Sequence, residues 1–162
     1  MPVPLSRGVA WLKTEVHTDL LEQADRHAPY ETGGLLLGYR HSPIEIVITD
    51  VIGPGPHADH RRTGFTPDAD WQAAELARRY ASADRRITYL GDWHTHPGGG
   101  ADLSRTDRRT LRAIGRHPDA RCPQPIMAVL AGGEPWTLCI RQPARRAAPR
   151  RALQTLAIQI YW

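Results

Sequence analysis

The stretch from Gly91 to Asp107 constrains this chain more than any other: Gly91-Asp-Trp-His94-Thr-His96-Pro97-Gly-Gly-Gly-Ala-Asp102-Leu-Ser104-Arg-Thr-Asp107. It follows the β-prone run that starts at Ile87. Residues i and i+2 of a strand face the same way, so His94 and His96 can aim both imidazoles at one point. Pro97 ends the strand, three glycines permit a mobile or tight turn, and Ser104 opens a helix with Asp107 in its first turn. A carboxylate there can swing back to the strand end. Two imidazole nitrogens and a carboxylate oxygen suit zinc. Three protein ligands leave a fourth position for water, as in a catalytic rather than a structural site. Asp102 is a rival third ligand. Ser-x-x-Asp at a helix start is also a capping box, so Ser104 and Asp107 have an ordinary structural role open to them. Asp92 shares the face of both histidines. It is either a hydrogen-bond partner for an imidazole or a plain surface carboxylate.

Around this segment the chain reads as a mixed sheet flanked by helices, without the regular βαβ alternation of a Rossmann fold. Residues 14–28 are amphipathic, with Thr14 or Thr18 as cap and Pro29 as stop. Strands are expected at 32–39 and 44–52, antiparallel across the turn at 40–43. Residues 53–64 read as a loop. Thr66-Pro-Asp68 starts a helix over 67–83, capped by the Thr66 hydroxyl, with Trp71, Ala74, Leu76, Ala77 and Tyr80 as its apolar positions. Further elements are a strand over 87–96, a helix over 104–115, and strands over 125–130 and 136–141 around Gly132-Gly133. A basic loop over 143–151 and a last strand over 156–162 complete a single domain of 162 residues.

A water activated by zinc needs a general base. Glu31 is the candidate, placed just before an apolar strand that opens on glycines; spacing alone does not separate it from Glu45, Glu75 or Glu134. Residues 94–107 match His-x-His-Pro-x6-Ser-x-x-Asp at every fixed position, with Glu31 upstream in Glu-Thr-Gly-Gly-Leu-Leu-Leu-Gly. Together they resemble the JAMM (JAB/MPN-type) zinc metalloproteases, which cleave ubiquitin-like proteins from their targets. The resemblance covers roughly residues 10 to 142. It implies an α/β fold, a curved mixed sheet flanked by helices like that of the cytidine deaminases. It also implies one catalytic zinc ion on His94, His96 and Asp107, Glu31 as general acid/base, and Ser104 as donor to the oxyanion. Gly53-Pro-Gly-Pro56, Phe65-Thr-Pro-Asp68 and Gly91-Asp-Trp-His-Thr-His-Pro97 narrow the likeness to the stand-alone bacterial branch. That branch includes the CBASS antiphage deconjugase, which cuts the bond joining the C-terminus of a CD-NTase to target proteins. A sister system conjugates a bacterial ubiquitin-like protein. The partner so implied is a protein conjugate of a CD-NTase or ubiquitin-like protein, its extended tail in a groove paired to a sheet edge. The loops 53–65 and 97–103 are candidates to touch that tail.

Composition excludes other classes. The apolar fraction of 41% and charged fraction of 23% are those of an ordinary globular chain. No apolar run reaches the length of a membrane span, and the N-terminal residues lack the apolar stretch of a secretory signal, so the expected location is cytoplasmic. Net charge is +4, from 20 arginines and only Lys13 against 17 acids, and no aromatic-basic pattern points to nucleic acid. The arginine pairs read as solvated faces, Cys122 and Cys139 as inert thiols, and Trp71, Tyr80 and Trp136 as core. His57 and His60 read as solvated or as lining a substrate groove. The rival functions are processing of a ubiquitin-like or sulfur-carrier precursor, a zinc amide hydrolase or deaminase acting on a small molecule, a non-catalytic scaffold, and a basic nucleic-acid module.

Overall fold

The computed structural model describes residues 8–144 and 152–162. Strand β1 (Val9–Lys13) runs directly into helix α1 (Thr14–His27). Next come β2 (Gly33–Ser42) and β3 (Glu45–Ile52), then a small hairpin of β4 (Asp59–Arg61) and β5 (Gly64–Thr66). Helix α2 (Ala69–Ser82), β6 (Thr88–Pro97) and helix α3 (Arg105–Arg116) follow, then a 3-10 turn at Pro118–Ala120. The chain ends with β7 (Ile126–Gly132), β8 (Trp136–Pro143), β9 (Leu153–Thr155) and β10 (Ala157–Tyr161).

Eight of these strands form one mixed sheet in the order β10-β1-β3-β2-β6-β7-β8-β9. The contacts of β1 with β3 and β10 and of β6 with β7 are parallel; the others are antiparallel. Strands β9 and β10 stand at opposite ends of that order, yet only Leu156 separates them. The sheet must therefore curl until its edges meet. Leu156 N–H bonds Ile140 C=O at 2.9 Å, and Ala157 N–H bonds Gly8 C=O at 2.8 Å. A sheet whose edges meet presents little unpaired backbone.

Alternation along the strands divides the core. Ala10, Leu12, Leu36, Ile46, Ile48, Trp93, Ala128 and Leu130 cover one face and enclose Val16, Leu20 and Ala24 of α1. On the other face α2 packs Trp71 and Leu76 against Leu37, Ile52 and Ile87. There α3 packs Leu111 against Met127, Val129 and Ala131. The two helices leave the middle of that face open.

Local chemistry departs from the sequence expectations in several places. Thr14 and Thr18 do not cap α1, because β1 delivers the chain straight into the helix; Thr14 Oγ1 instead donates to Tyr161 C=O at 2.8 Å. Asp68, not Thr66, caps α2, accepting from Trp71 N–H and also from His57 N–H at 3.2 Å each. Ala74, Ala77 and Tyr80 are exposed, and the buried residue of α2 is Gln72, whose amide donates to Gly53 C=O at 2.9 Å. The expected loop 53–64 contains β4 and the start of β5; the expected last strand forms as β10, with an unexpected short strand, β9, just before it. The basic loop over 143–151 lies mostly outside the described residues. No helix is long and apolar enough to cross a membrane.

The strand that carries the histidines owes its facing to Gly91. The register of β2 against β6 shifts between Leu36 and Leu37, so that Leu36 faces Gly91 and Leu37 faces Tyr89. Such a bulge re-aims every later side chain. It buries Leu90 with the α1 core and turns Asp92 to the open face. Gly91 takes φ 145°, and a Cβ there would lie 1.9 Å from Ile126 C=O. Gly91→Ala is expected to lower thermal stability by about 1–3 kcal/mol through backbone strain and clash. At Gly100 a Cβ would meet nothing within 4 Å, and Gly100→Ala should stay within ~0.5 kcal/mol of the parent. Paired thermal melts check this, and equal losses would contradict the bulge argument.

Candidate metal centre

At the C-terminal end of β6, His94 and His96 point onto the open face, as period two requires. Their Nε2 atoms lie 3.0 Å apart. Asp107 Oδ2 lies 3.3 Å from His94 Nε2 and 3.5 Å from His96 Nε2. A tetrahedral ion with bonds of ~2.0–2.1 Å needs donor-to-donor edges of about 3.3 Å. This triangle therefore has the size of one face of such a coordination shell, and the three residues could hold a metal ion.

The capping box explains how a helix residue reaches the strand end. Ser104 Oγ accepts from Asp107 N–H at 3.1 Å, and Asp107 Oδ2 accepts from Ser104 N–H at 2.7 Å. The oxygen that caps α3 is the same one that faces both imidazoles, so the cap does not draw it away from them. His96 Nδ1 sits 2.9 Å from Gly100 C=O, which accepts its proton and turns Nε2 toward His94 and Asp107. Burial alone would raise the Asp107 carboxyl. The hydrogen bonds of His94, His96 and Ser104 outweigh it and hold the group well below the usual carboxylate range. His96 is raised, chiefly by its hydrogen bond to Asp107. Asp102 is not part of the cluster; its carboxylate pairs with Arg141 at 3.2 Å.

These groups sit in a cleft of about 620 Å³ between α2 and α3. Glu31 lines it, in the turn between α1 and β2, and so does Ser104. Burial raises the Glu31 carboxyl, and the His96 and His94 imidazoles oppose the rise. Among the other glutamates considered, Glu75 pairs with Arg78 at 2.8 Å, and neither Glu45 nor Glu134 lines the cleft. Of the two candidate tail-contacting loops, the first contributes Thr63, Gly64 and Phe65 to the lining and 97–103 contributes none. Asp92 lies on the cleft floor and does not bond an imidazole; Tyr89 Oη donates to its Oδ1 at 2.6 Å. Burial raises its carboxyl, against the hydrogen bond from Tyr89. Cys122 is buried and its thiol is pushed up to about 11, mainly by burial, as suits an inert thiol.

The sequence reading missed what holds Glu31. Strand β4 grips it from both sides: Glu31 N–H bonds Arg61 C=O at 2.8 Å, and His60 Nδ1 donates to Glu31 C=O at 3.0 Å. His60 in turn stacks on His27 at 4.0 Å between ring centroids, with Phe65 beyond it at 6.4 Å. Strands of three residues, largely polar, carry too little alternation for the hairpin to be seen beforehand. His57, by contrast, is exposed and bonds Asp68 at 3.1 Å.

Residues 13–150 match the family model described as prokaryotic homologs of the JAB domain. The chain is 41% identical over 154 residues to a probable metalloprotease of Sinorhizobium fredii, covering 93% of this chain and 94% of that protein. It is 30% identical over 130 residues to a CD-NTase/cGAS isopeptidase of Enterobacter hormaechei, covering 78% of this chain and 70% of that protein. A solved structure, protein DSY2949 of Desulfitobacterium hafniense, shares the fold with a TM-score of 0.69 at 17% identity, covering 94% of this chain and 93% of that one.

Two expectations follow from the geometry. Metal analysis of the purified protein should give one equivalent of ion per chain, lost in His94→Ala; undiminished metal in that variant would contradict the site. In His60→Ala the Glu31 amide, bonded to Arg61, should lose protection from hydrogen exchange about tenfold, the scale of one lost hydrogen bond with its packing. Metal content should not change, and unaltered protection would mean that His60 does not hold the segment.

Proposed function

We infer, for a chain that belongs to the prokaryotic JAB-domain family, a zinc-dependent hydrolysis of the amide bond that joins a protein's C-terminal tail to a target amine. The observation that carries this reading is the triangle of two imidazole nitrogens and one carboxylate oxygen at 3.0, 3.3 and 3.5 Å, with Glu31 and Ser104 in the same cleft. His94, His96 and Asp107 would hold the ion. When bound, zinc supplies a Lewis acid to a carbonyl oxygen and lowers the pKa of water.

Glu31 takes the proton of the attacking water and returns it to the leaving nitrogen. Its partial burial raises the carboxyl, which makes it a better proton acceptor than a free glutamate. The Ser104 oxygen accepts the Asp107 N–H, so its own proton is free to go to the oxyanion that forms on the substrate carbonyl. Cap and oxyanion donor are thus one residue. The hairpin β4–β5 leaves β5 one edge without a partner strand among the described residues, and Gly64 and Phe65 of β5 line the cleft. An extended tail that adds a strand there would lie along the cleft toward Glu31.

The Enterobacter hormaechei relative is named a CD-NTase/cGAS isopeptidase, which makes a CD-NTase tail the first substrate to try, in antiphage deconjugation. A ubiquitin-like tail is the second. A reporter fused to each C-terminus should be released by the wild-type protein and not after chelation. Glu31→Gln should retain its metal and lose about 10²–10⁴-fold in turnover. Release that survives chelation or Glu31→Gln would overturn the reading.

A further inference from the structure

The cleft floor holds a feature that bond hydrolysis does not use. Leu35 of β2, Asp92 of β6 and Met127 of β7 are register partners and form one transverse row of the sheet. All three line the cleft. The next row carries Gly33 and His94, two residues farther along β6, or about 6.8 Å at the strand rise. Asp92 is therefore within one or two substrate residues of the metal-facing imidazoles.

Its carboxylate is held at one oxygen only. Tyr89 Oη donates to Oδ1 at 2.6 Å, an alignment made possible by the bulge at Gly91, which brings Tyr89 and Asp92 to the same face. Among the described residues Oδ2 has no hydrogen-bond partner and no cation within ion-pair distance, although the chain has 20 arginines. Nor is it sealed, since Asp92 is only half-buried and Oδ2 is not one of the enclosed unpartnered atoms. Leu35 and Met127 flank it with apolar surface, and Thr106 and Thr110 of α3 line the same cleft. Apolar sides with one carboxylate oxygen at the base fit a methylene stem that ends in a cation.

We propose that Leu35, Asp92 and Met127 form a subsite for a basic side chain, lysine or arginine, of the substrate within two residues of the scissile bond, with Asp92 as its specificity-determining group and Tyr89 as the prop that orients it. This deepens the hydrolase reading and rests on it for its place in the reaction.

Two measurements test it, and they fail separately. The first uses internally quenched peptides in which one position at a time around the cleaved bond is arginine, lysine, norleucine or glutamate. At one position the basic residues should raise kcat/KM about tenfold over norleucine, mostly through KM, the scale of one charge-assisted hydrogen bond. Asp92→Asn should reduce that ratio below about threefold, and Asp92→Arg should favour glutamate there. An unchanged ratio in Asp92→Asn would overturn the proposal. The second needs no activity. Agmatine, a guanidinium on a methylene stem, is titrated into the protein and followed by NMR. It should shift the amide signals of Leu35, Asp92 and Met127 in the wild type and not in Asp92→Asn, and hexanamide should not replace it. Equal shifts in both proteins, or with hexanamide, would overturn the subsite whatever the peptides show. If agmatine binds as expected while no peptide or fusion is cleaved, the subsite stands and the hydrolase reading fails.

Discussion

One carboxylate oxygen ties the local fold to its chemistry. Asp107 Oδ2 closes the capping box of α3 and faces both imidazoles of β6. An N-terminal turn needs an acceptor for its free N–H groups, and a metal needs a third donor. A single side chain meets both needs only if the helix begins where the strand ends. The glycine-rich turn after Pro97 permits that approach, and the packing of Leu111 on Met127 and Val129 maintains it. Helix capping and core packing thus both bear on the geometry at the strand end.

A second constraint is the closure of the sheet. Because Leu156 links β9 to β10, both edges are drawn together around α1. That leaves α2 and α3 to share the opposite face, and the gap between them is the cleft. Glu31 enters from the end of α1 and is clamped by β4 through its own N–H and C=O. The residues of the proposed chemistry therefore come from three parts of the chain: the α1–β2 turn, the end of β6 and the first turn of α3. The clamp also places β5, which lines the cleft, next to the strand that holds Glu31. Contact of a substrate with the hairpin would act directly on Glu31, the proposed general base.

Much of this was legible in the sequence. The His94–His96 pair, the proline stop and Ser-x-x-Asp are local signals, and local signals survive without knowledge of the fold. The elements with long apolar patterns, α1, β2, β3, β6 and β7, were likewise readable. What escaped was decided by contacts between distant segments. Strand β1 is five residues long and has meaning only beside β3 and β10. The hairpin of polar three-residue strands is fixed by its grip on Glu31. Thr66 has the chemistry of a cap, but Asp68 wins because its carboxylate also accepts from His57. The bulge at Gly91 looked like an ordinary strand residue, yet it brings Tyr89 to the face of Asp92 and so supplies the partner that Asp92 takes in place of an imidazole.

The central claim is that three side chains brought together by the fold hold one catalytic ion. A crystal of the zinc-loaded protein, with diffraction recorded above and below the zinc absorption edge, tests it most directly. The account predicts a single anomalous peak about 2.0–2.2 Å from His94 Nε2, His96 Nε2 and an Asp107 carboxylate oxygen, with one coordination position facing the cleft. A peak bound by other residues, or none at this triangle in protein that carries stoichiometric zinc, would contradict it.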